Sequence, residues 1–135
     1  MTDQPIHKIL VADDEEVIRE ACDRILRRAG HDVRTAPEGK EAWRLIQQEH
    51  FDLAFLDIKM PIMDGLAVMN LIRKENIDLP VVVITGHGAA ETAAEAIKAG
   101  AIDFLTKPFS PNELRQAAAK ALNRAGRPVR RAGDR

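Results

Sequence analysis

Short apolar runs alternate along this chain with longer stretches in which apolar residues recur every three or four positions. Ile9-Leu10-Val11-Ala12, Leu53-Ala54-Phe55-Leu56 and Val81-Val82-Val83-Ile84 are apolar throughout, as strands covered on both faces must be. His31-Asp32-Val33-Arg34-Thr35 instead alternates polar and apolar, the pattern of an edge strand with one face in solvent. The pattern predicts strands near 8–12, 31–35, 51–56, 80–84 and 102–105, and helices near 15–29, 37–49, 64–74, 88–99 and 111–123,. A βα unit repeated five times implies an α/β fold, a parallel sheet with helices on both faces.

Helix ends carry their own signals. Ser110-Pro111-Asn112-Glu113 reads as a capping box, with Ser110 at the N-cap, proline at the first helical position and Glu113 at the third,. Ala29-Gly30 and Ala99-Gly100 place glycine where a helix stops in a left-handed turn. The fourth helix stands apart. Residues 89–101 include seven alanines, and Ile97 is the one large apolar side chain among them. Alanine favours helix but buries little area, so this helix should be held weakly and be free to shift. Leu66, Met69, Ile72, Leu114 and Leu122 are expected on helix faces against the sheet, with Trp43 packed in the core,.

Four apolar runs end in residues with chemistry. The first ends at Asp13-Asp14, the third at Asp57, the fourth at Thr85 and the fifth at Lys107-Pro108. In a parallel sheet the carboxyl ends of neighbouring strands lie side by side, and ligands bind there. Three acids, a hydroxyl and an ammonium should therefore converge in one shallow pocket. Crowded carboxylates repel one another and resist ionising, and a divalent cation removes that difficulty. Hard oxygen donors point to magnesium (Mg2+), with manganese (Mn2+) as an acceptable substitute. Lys107 and Thr85 suit phosphoryl oxygens. A carboxylate can itself be the nucleophile, and Asp57, central and followed by a tight loop, is the candidate. Taken singly, each residue has a plainer explanation: Asp57 opens a Pro-Gly turn, and Asp13-Asp14 favour a helix N-terminus. Their joint placement at strand ends is what argues for a site.

Composition narrows the class. At 135 residues, 45% hydrophobic and 30% charged, the chain suits one globular domain. No apolar stretch approaches the roughly 18 residues of a membrane span, and the N-terminus lacks a basic-then-apolar leader pattern. A single cysteine, Cys22, sits at helical spacing among apolar residues and reads as a small core side chain. A cytoplasmic protein is expected. The four histidines, at 7, 31, 50 and 87, have no metal-binding spacing, so zinc is not expected. Residues 1–123 carry 15 basic and 20 acidic groups, net −5, whereas 124–135 carry five arginines and one aspartate, net +4. An acidic body argues against nucleic-acid binding by the domain. The division expected is a domain over 1–123 and a basic, flexible tail over 124–135.

The strand-end motifs resemble those of the receiver domains of bacterial two-component response regulators, over about residues 6–123. The resemblance rests on Val11-Ala12-Asp13-Asp14-Glu15, on Leu56-Asp57 through Asp64-Gly65, on Ile84-Thr85-Gly86-His87-Gly88 and on Ala101 through Phe109. It is nearest to receivers of the nitrogen-regulatory and nitrogen-fixation type. It implies a flavodoxin-like, doubly wound sheet in strand order 2-1-3-4-5. It also implies that Asp57 takes a phosphoryl group from a phosphohistidine on a sensor kinase. Asp14, Asp57 and the backbone carbonyl of Lys59 would bind magnesium, with Asp13 acting through a water, and Lys107 would pair with the phosphoryl group. Thr85 would move toward it and Phe104, a tyrosine in many receivers, would turn inward. Lys107-Pro108 would be cis. The side chains of Lys59 and His87, two residues beyond Asp57 and Thr85, would tune phosphate lifetime. The fourth helix, fifth strand and fifth helix would carry partner or homodimer contacts.

Two other classes compete. A dehalogenase-like phosphatase also uses aspartate and magnesium, but needs a second acid two residues after its nucleophile on the first strand. Here Asp13 and Asp14 are adjacent. An FMN carrier needs Gly, Ser and Thr in the first turn, where this chain has acids. The output is either a protein partner or an attached domain. The Met start and the untagged tail favour a free-standing receiver over a piece of a longer regulator.

Overall fold

The computed structural model describes residues 6–86 and 90–124, the side chains of 90–93 excepted. Strands and helices alternate as β1 (Lys8–Ala12), α1 (Glu16–Arg28), β2 (Asp32–Ala36), α2 (Gly39–Gln48), β3 (Leu53–Asp57), α3 (Gly65–Lys74), β4 (Val81–Thr85), α4 (Ala90–Lys98), β5 (Asp103–Thr106) and α5 (Pro111–Arg124). All four strand pairings are parallel, in the order β2-β1-β3-β4-β5. The central strands β1, β3 and β4 are the fully apolar runs, and alternating β2 lies at an edge, as its pattern requires. Helix α5 runs one residue past the expected boundary, to Arg124, whose guanidinium donates to the Ile102 carbonyl at 3.1 Å. Residues 125–135, most of the expected tail, lie outside the described residues.

Period-two alternation divides the strands between two cores. Ile9, Val11, Leu53, Phe55, Val82 and Ile84 pack under α1 and α5 with Cys22, Leu26, Leu114 and Leu122. Leu10, Ala54, Leu56, Val81 and Val83 pack on the other face with Leu45, Ile46, Val68, Met69 and Ile72. Cys22 is fully buried, and burial first, then the nearby Asp13 charge, pushes its thiol up to about 12. It is a core residue, as its spacing indicated. Trp43 and Leu66 are only partly buried, at the rim of their cluster.

Helix termini follow the sequence closely. Glu113 N–H donates to Ser110 Oγ at 3.1 Å, and Ser110 N–H donates to Glu113 Oε1 at 2.8 Å, the reciprocal pair of a capping box. Gly30 and Gly100 have φ of 98° and 113°, which a residue with a Cβ adopts only with strain. Among the described side chains of α4 the buried anchor is Ala96, while Ile97 is 44% exposed. So the one large apolar residue of this helix contributes little to its attachment. Among the described residues no helix is long and apolar enough to cross a membrane.

Candidate functional site

Register decides what meets at the carboxyl edge of the sheet. Ala12 lies opposite Leu56, Asp57 opposite Ile84, and Thr85 opposite Thr106. The residues that follow β1 and β5 and those that end β3 and β4 are therefore level. Oxygens of Asp13, Asp14 and Asp57 all lie within 4.8 Å of one another. Lys107 reaches between them: its Nζ is 3.0 Å from Asp13 Oδ2 and 3.3 Å from Asp57 Oδ2. The convergence expected of the three acids and the ammonium is present, and Thr85 ends the neighbouring strand.

Local structure holds each group. Asp13 N–H donates to the Ala36 carbonyl at 3.1 Å, continuing the β1–β2 ladder by one bond. Asp13 Oδ1 accepts the Glu15 N–H at 2.9 Å, a side-chain turn that starts α1. After β3, Lys59 N–H donates to Asp57 Oδ1 at 3.1 Å. The loop then passes through Ile62, 93% exposed with φ of 68°, to Asp64, whose Oδ1 caps α3 by accepting from Ala67 N–H at 2.8 Å. Gly65 brings α3 hard against the end of β3: a Cβ there would lie 2.5 Å from the Asp57 carbonyl oxygen. Thr85 is buried at the end of β4, and its carbonyl accepts the Lys107 N–H at 2.8 Å. The Lys107-Pro108 bond is cis. Phe104 is 46% exposed on β5, turned outward. The Lys59 side chain is exposed. His87 and Gly88 lie outside the described residues.

Electrostatics set the chemistry. Asp57 is pushed up to about 6, first by burial, then by the Asp13 charge, against the opposing effects of Lys107 and the Lys59 N–H. Lys107 shows the converse balance. Burial would lower it, but hydrogen bonds to Glu15 and Asp13 and the charges of Asp13 and Asp57 outweigh burial and hold its ammonium above the ordinary range. Glu15 is the participant that strand-end reasoning overlooked. Its Oε2 is 2.6 Å from Lys107 Nζ, a shorter approach than either aspartate makes. It lies one residue past the acidic pair, on a turn that the linear pattern does not aim. Asp13 Oδ2 is fully buried, and its one close polar neighbour among the described residues is the Lys107 ammonium at 3.0 Å, a contact of poor hydrogen-bond geometry. A buried hard oxygen whose lone pairs are not fully used, beside two more carboxylates, suits a hard dication that keeps several waters,.

The profile of the response regulator receiver domain matches residues 9–119. The chain belongs to that family. This receiver domain is 42% identical over 115 residues to the alginate biosynthesis transcriptional regulatory protein AlgB of Pseudomonas aeruginosa, an alignment covering 85% of this chain and 26% of the relative. It is 43% identical to the response regulator protein PilR of the same organism, again over 85% of this chain and 26% of the relative. The chain thus spans about a quarter of the length of these curated relatives. Among solved structures, the receiver domain of NtrX from Brucella abortus superposes with a TM-score of 0.81 at 44% identity, covering 85% of this chain and 98% of that one. A Francisella response regulator receiver gives 0.82 at 36% identity, covering 87% and 98%. The flavodoxin-like strand order implied by the motifs is the order observed. Membership places the chain in two-component signal transduction and disfavours the dehalogenase-like reading. Receiver domains are typically not classical enzymes.

Proposed function

We propose that Asp57 is the phosphoacceptor of this receiver domain and that a sensor histidine kinase supplies the phosphoryl group. The observation that carries this reading is the placement of one nearly buried carboxylate against Lys107, Asp13 and Asp14 at the carboxyl edge of the sheet. An Asp57 oxygen attacks phosphorus as the bond to the donor imidazole breaks. The electron pair of that bond stays on the departing nitrogen, and an acyl phosphate remains. Lys59 N–H fixes the carboxylate's orientation, and Lys107 offsets the charge of the incoming oxygens. Asp14, Asp57 and the Lys59 carbonyl would hold magnesium, or manganese, with Asp13 acting through a water. The ion supplies charge neutralisation for the transfer.

The added phosphoryl charge then biases the structure nearby. The Thr85 hydroxyl becomes a donor to it, and Phe104 turns inward. As phenylalanine, Phe104 carries no hydroxyl that would need a partner when buried. Weakly anchored α4, with Ile97 exposed on it and Phe104 exposed on β5, forms with β5 and α5 the face that meets an output partner, an attached output domain or a second copy. No membrane or nucleic acid is assigned to the domain body. Residues 125–135 hold four arginines and one aspartate.

Incubation with magnesium and a small phosphodonor should add one phosphate to the intact mass of the parent and none to Asp57→Ala. An equal gain in both proteins refutes the assignment. Lys59 and His87 tune water access to the acyl phosphate in this reading. Lys59→Ala and His87→Ala should each change the dephosphorylation rate by about 2–10-fold, followed by loss of the phosphorylated mass. Rates equal to the parent's would remove both residues from the mechanism.

A further inference from the structure

His7 and His31 stand at the other end of the sheet, just before β1 and β2. The parallel register that pairs Lys8 with Asp32 brings these two histidines side by side, and Asp32 N–H donates to the His7 carbonyl at 2.9 Å to fix the pairing. Their ring centres are 5.7 Å apart with planes inclined by 48°. His7 is 7% exposed. Neither of its ring nitrogens has a hydrogen-bond partner among the described residues, and His31 Nδ1 has none either.

That arrangement needs explaining. A neutral imidazole carries one donor and one acceptor, and each buried group left unpaired destabilises the fold. An ordered water or a bound ion can satisfy such groups. Two imidazoles sharing one ion, with bonds of about 2.0–2.1 Å, hold their ring centres about 5–6 Å apart. The observed separation falls in that range before any side-chain adjustment. A shared ion would take the lone-pair nitrogen of each ring and leave its N–H to water.

We propose that His7 and His31 form a binding site for a borderline transition-metal dication of the Zn2+ class, with water completing its coordination. Imidazole nitrogen selects such ions, whereas the carboxylates at the opposite edge select magnesium. Metal binding needs unprotonated rings. Burial, then repulsion from His7, lowers the His31 pKa, while Asp52 opposes them. The Asp52 carboxylate is itself buried, with Oδ2 accepting the Lys8 N–H at 2.8 Å. It contributes negative potential next to the pair. An ion here would cross-link the starts of β1 and edge strand β2, stabilising the folded chain by linkage. Asp57 is not needed for it, since the two sites lie at opposite ends of the strands. The sequence spacing of the histidines concealed the pair, because a parallel crossover through α1 separates two residues that the sheet places together.

The test uses the full chain, stripped with chelator and returned to saturating Mg2+ so that the acidic pocket is occupied. Titration with ZnCl2, followed by calorimetry and by the melting temperature, should show one equivalent bound with micromolar affinity. Affinity should fall at least about 10-fold in His7→Gln and in His31→Gln, and stay at the parent value in His50→Gln. In the parent, the ring signals of His7 and His31 should shift with zinc in heteronuclear NMR spectra. That readout stands even if a variant fails to fold. No binding by the parent, parent-like affinity in both His7→Gln and His31→Gln, or unmoved His7 and His31 ring signals overturns the proposal.

Discussion

Asp57→Asn is expected to stabilise the metal-free domain at pH 7 by about 2 kcal/mol, the reverse of the usual effect of altering a nearly buried polar residue. The cause is the crowding that makes the site reactive. Asp57 must ionise beside the Asp13 charge with little water, and its pKa rises to about 6. A carboxyl group with a raised folded-state pKa favours the folded chain only while protonated. Its contribution is fully present below the unfolded value near 3.8 and is lost as pH rises through about 6,. Above that pH the folded chain holds a carboxylate it would rather not hold. Asparagine keeps an oxygen for the Lys59 N–H and removes the charge.

The advantage of Asp57→Asn should therefore be smallest at pH 4 and grow toward pH 7. Urea unfolding of both proteins in chelator, at pH 4, 5, 6 and 7, measures it directly. A variant less stable than the parent, or a difference independent of pH, would show that Lys107 already neutralises the pocket. Magnesium should narrow the gap, since a dication stabilises the parent carboxylate and has less to hold in the variant. The stability forgone in the metal-free state is the natural counterpart of a site made to receive a cation and an anion together.

How far the sequence foretold this site depends on the kind of signal. Buried parallel strands must be apolar throughout, so β1, β3 and β4 were visible as runs, and edge strand β2 as an alternation. Their termini carried Asp13, Asp57, Thr85 and Lys107 to one edge through backbone geometry alone. The strand order was not deducible from periodicity and came from the family resemblance. Other features depend on three-dimensional approach. Glu15 joins Lys107 because the turn after β1 folds back over the pocket. Gly39 is required because a Cβ on α2 would run into the Met63 carbonyl of the β3–α3 loop. No linear pattern aims a side chain across two crossovers. For the same reason His7 and His31, obvious neighbours in the register, looked unrelated along the chain.

Lys107→Gln should have the opposite effect to Asp57→Asn, costing the metal-free domain about 3 kcal/mol at pH 7. Its Nζ lies within 3.3 Å of oxygens on Asp57, Asp13 and Glu15, and it is the cation that lets two buried carboxylates coexist. Glutamine retains length and a donor but not the charge. Asp13 is fully buried and cannot turn to solvent, so the uncompensated charge must be relieved by protonation or by an ion. Two rescues follow. Lowering the pH to 5 should recover most of the loss by protonating Asp57, and millimolar magnesium should recover it at pH 7. Introducing Asp57→Asn into Lys107→Gln should recover more stability than it adds to the parent, since the repulsion it relieves is then unopposed. The four-protein cycle, measured by urea unfolding with and without magnesium, reads that coupling. Additive effects would mean that Lys107 interacts chiefly with exposed Glu15, and that the balance of charge around Asp57 is set by the backbone instead.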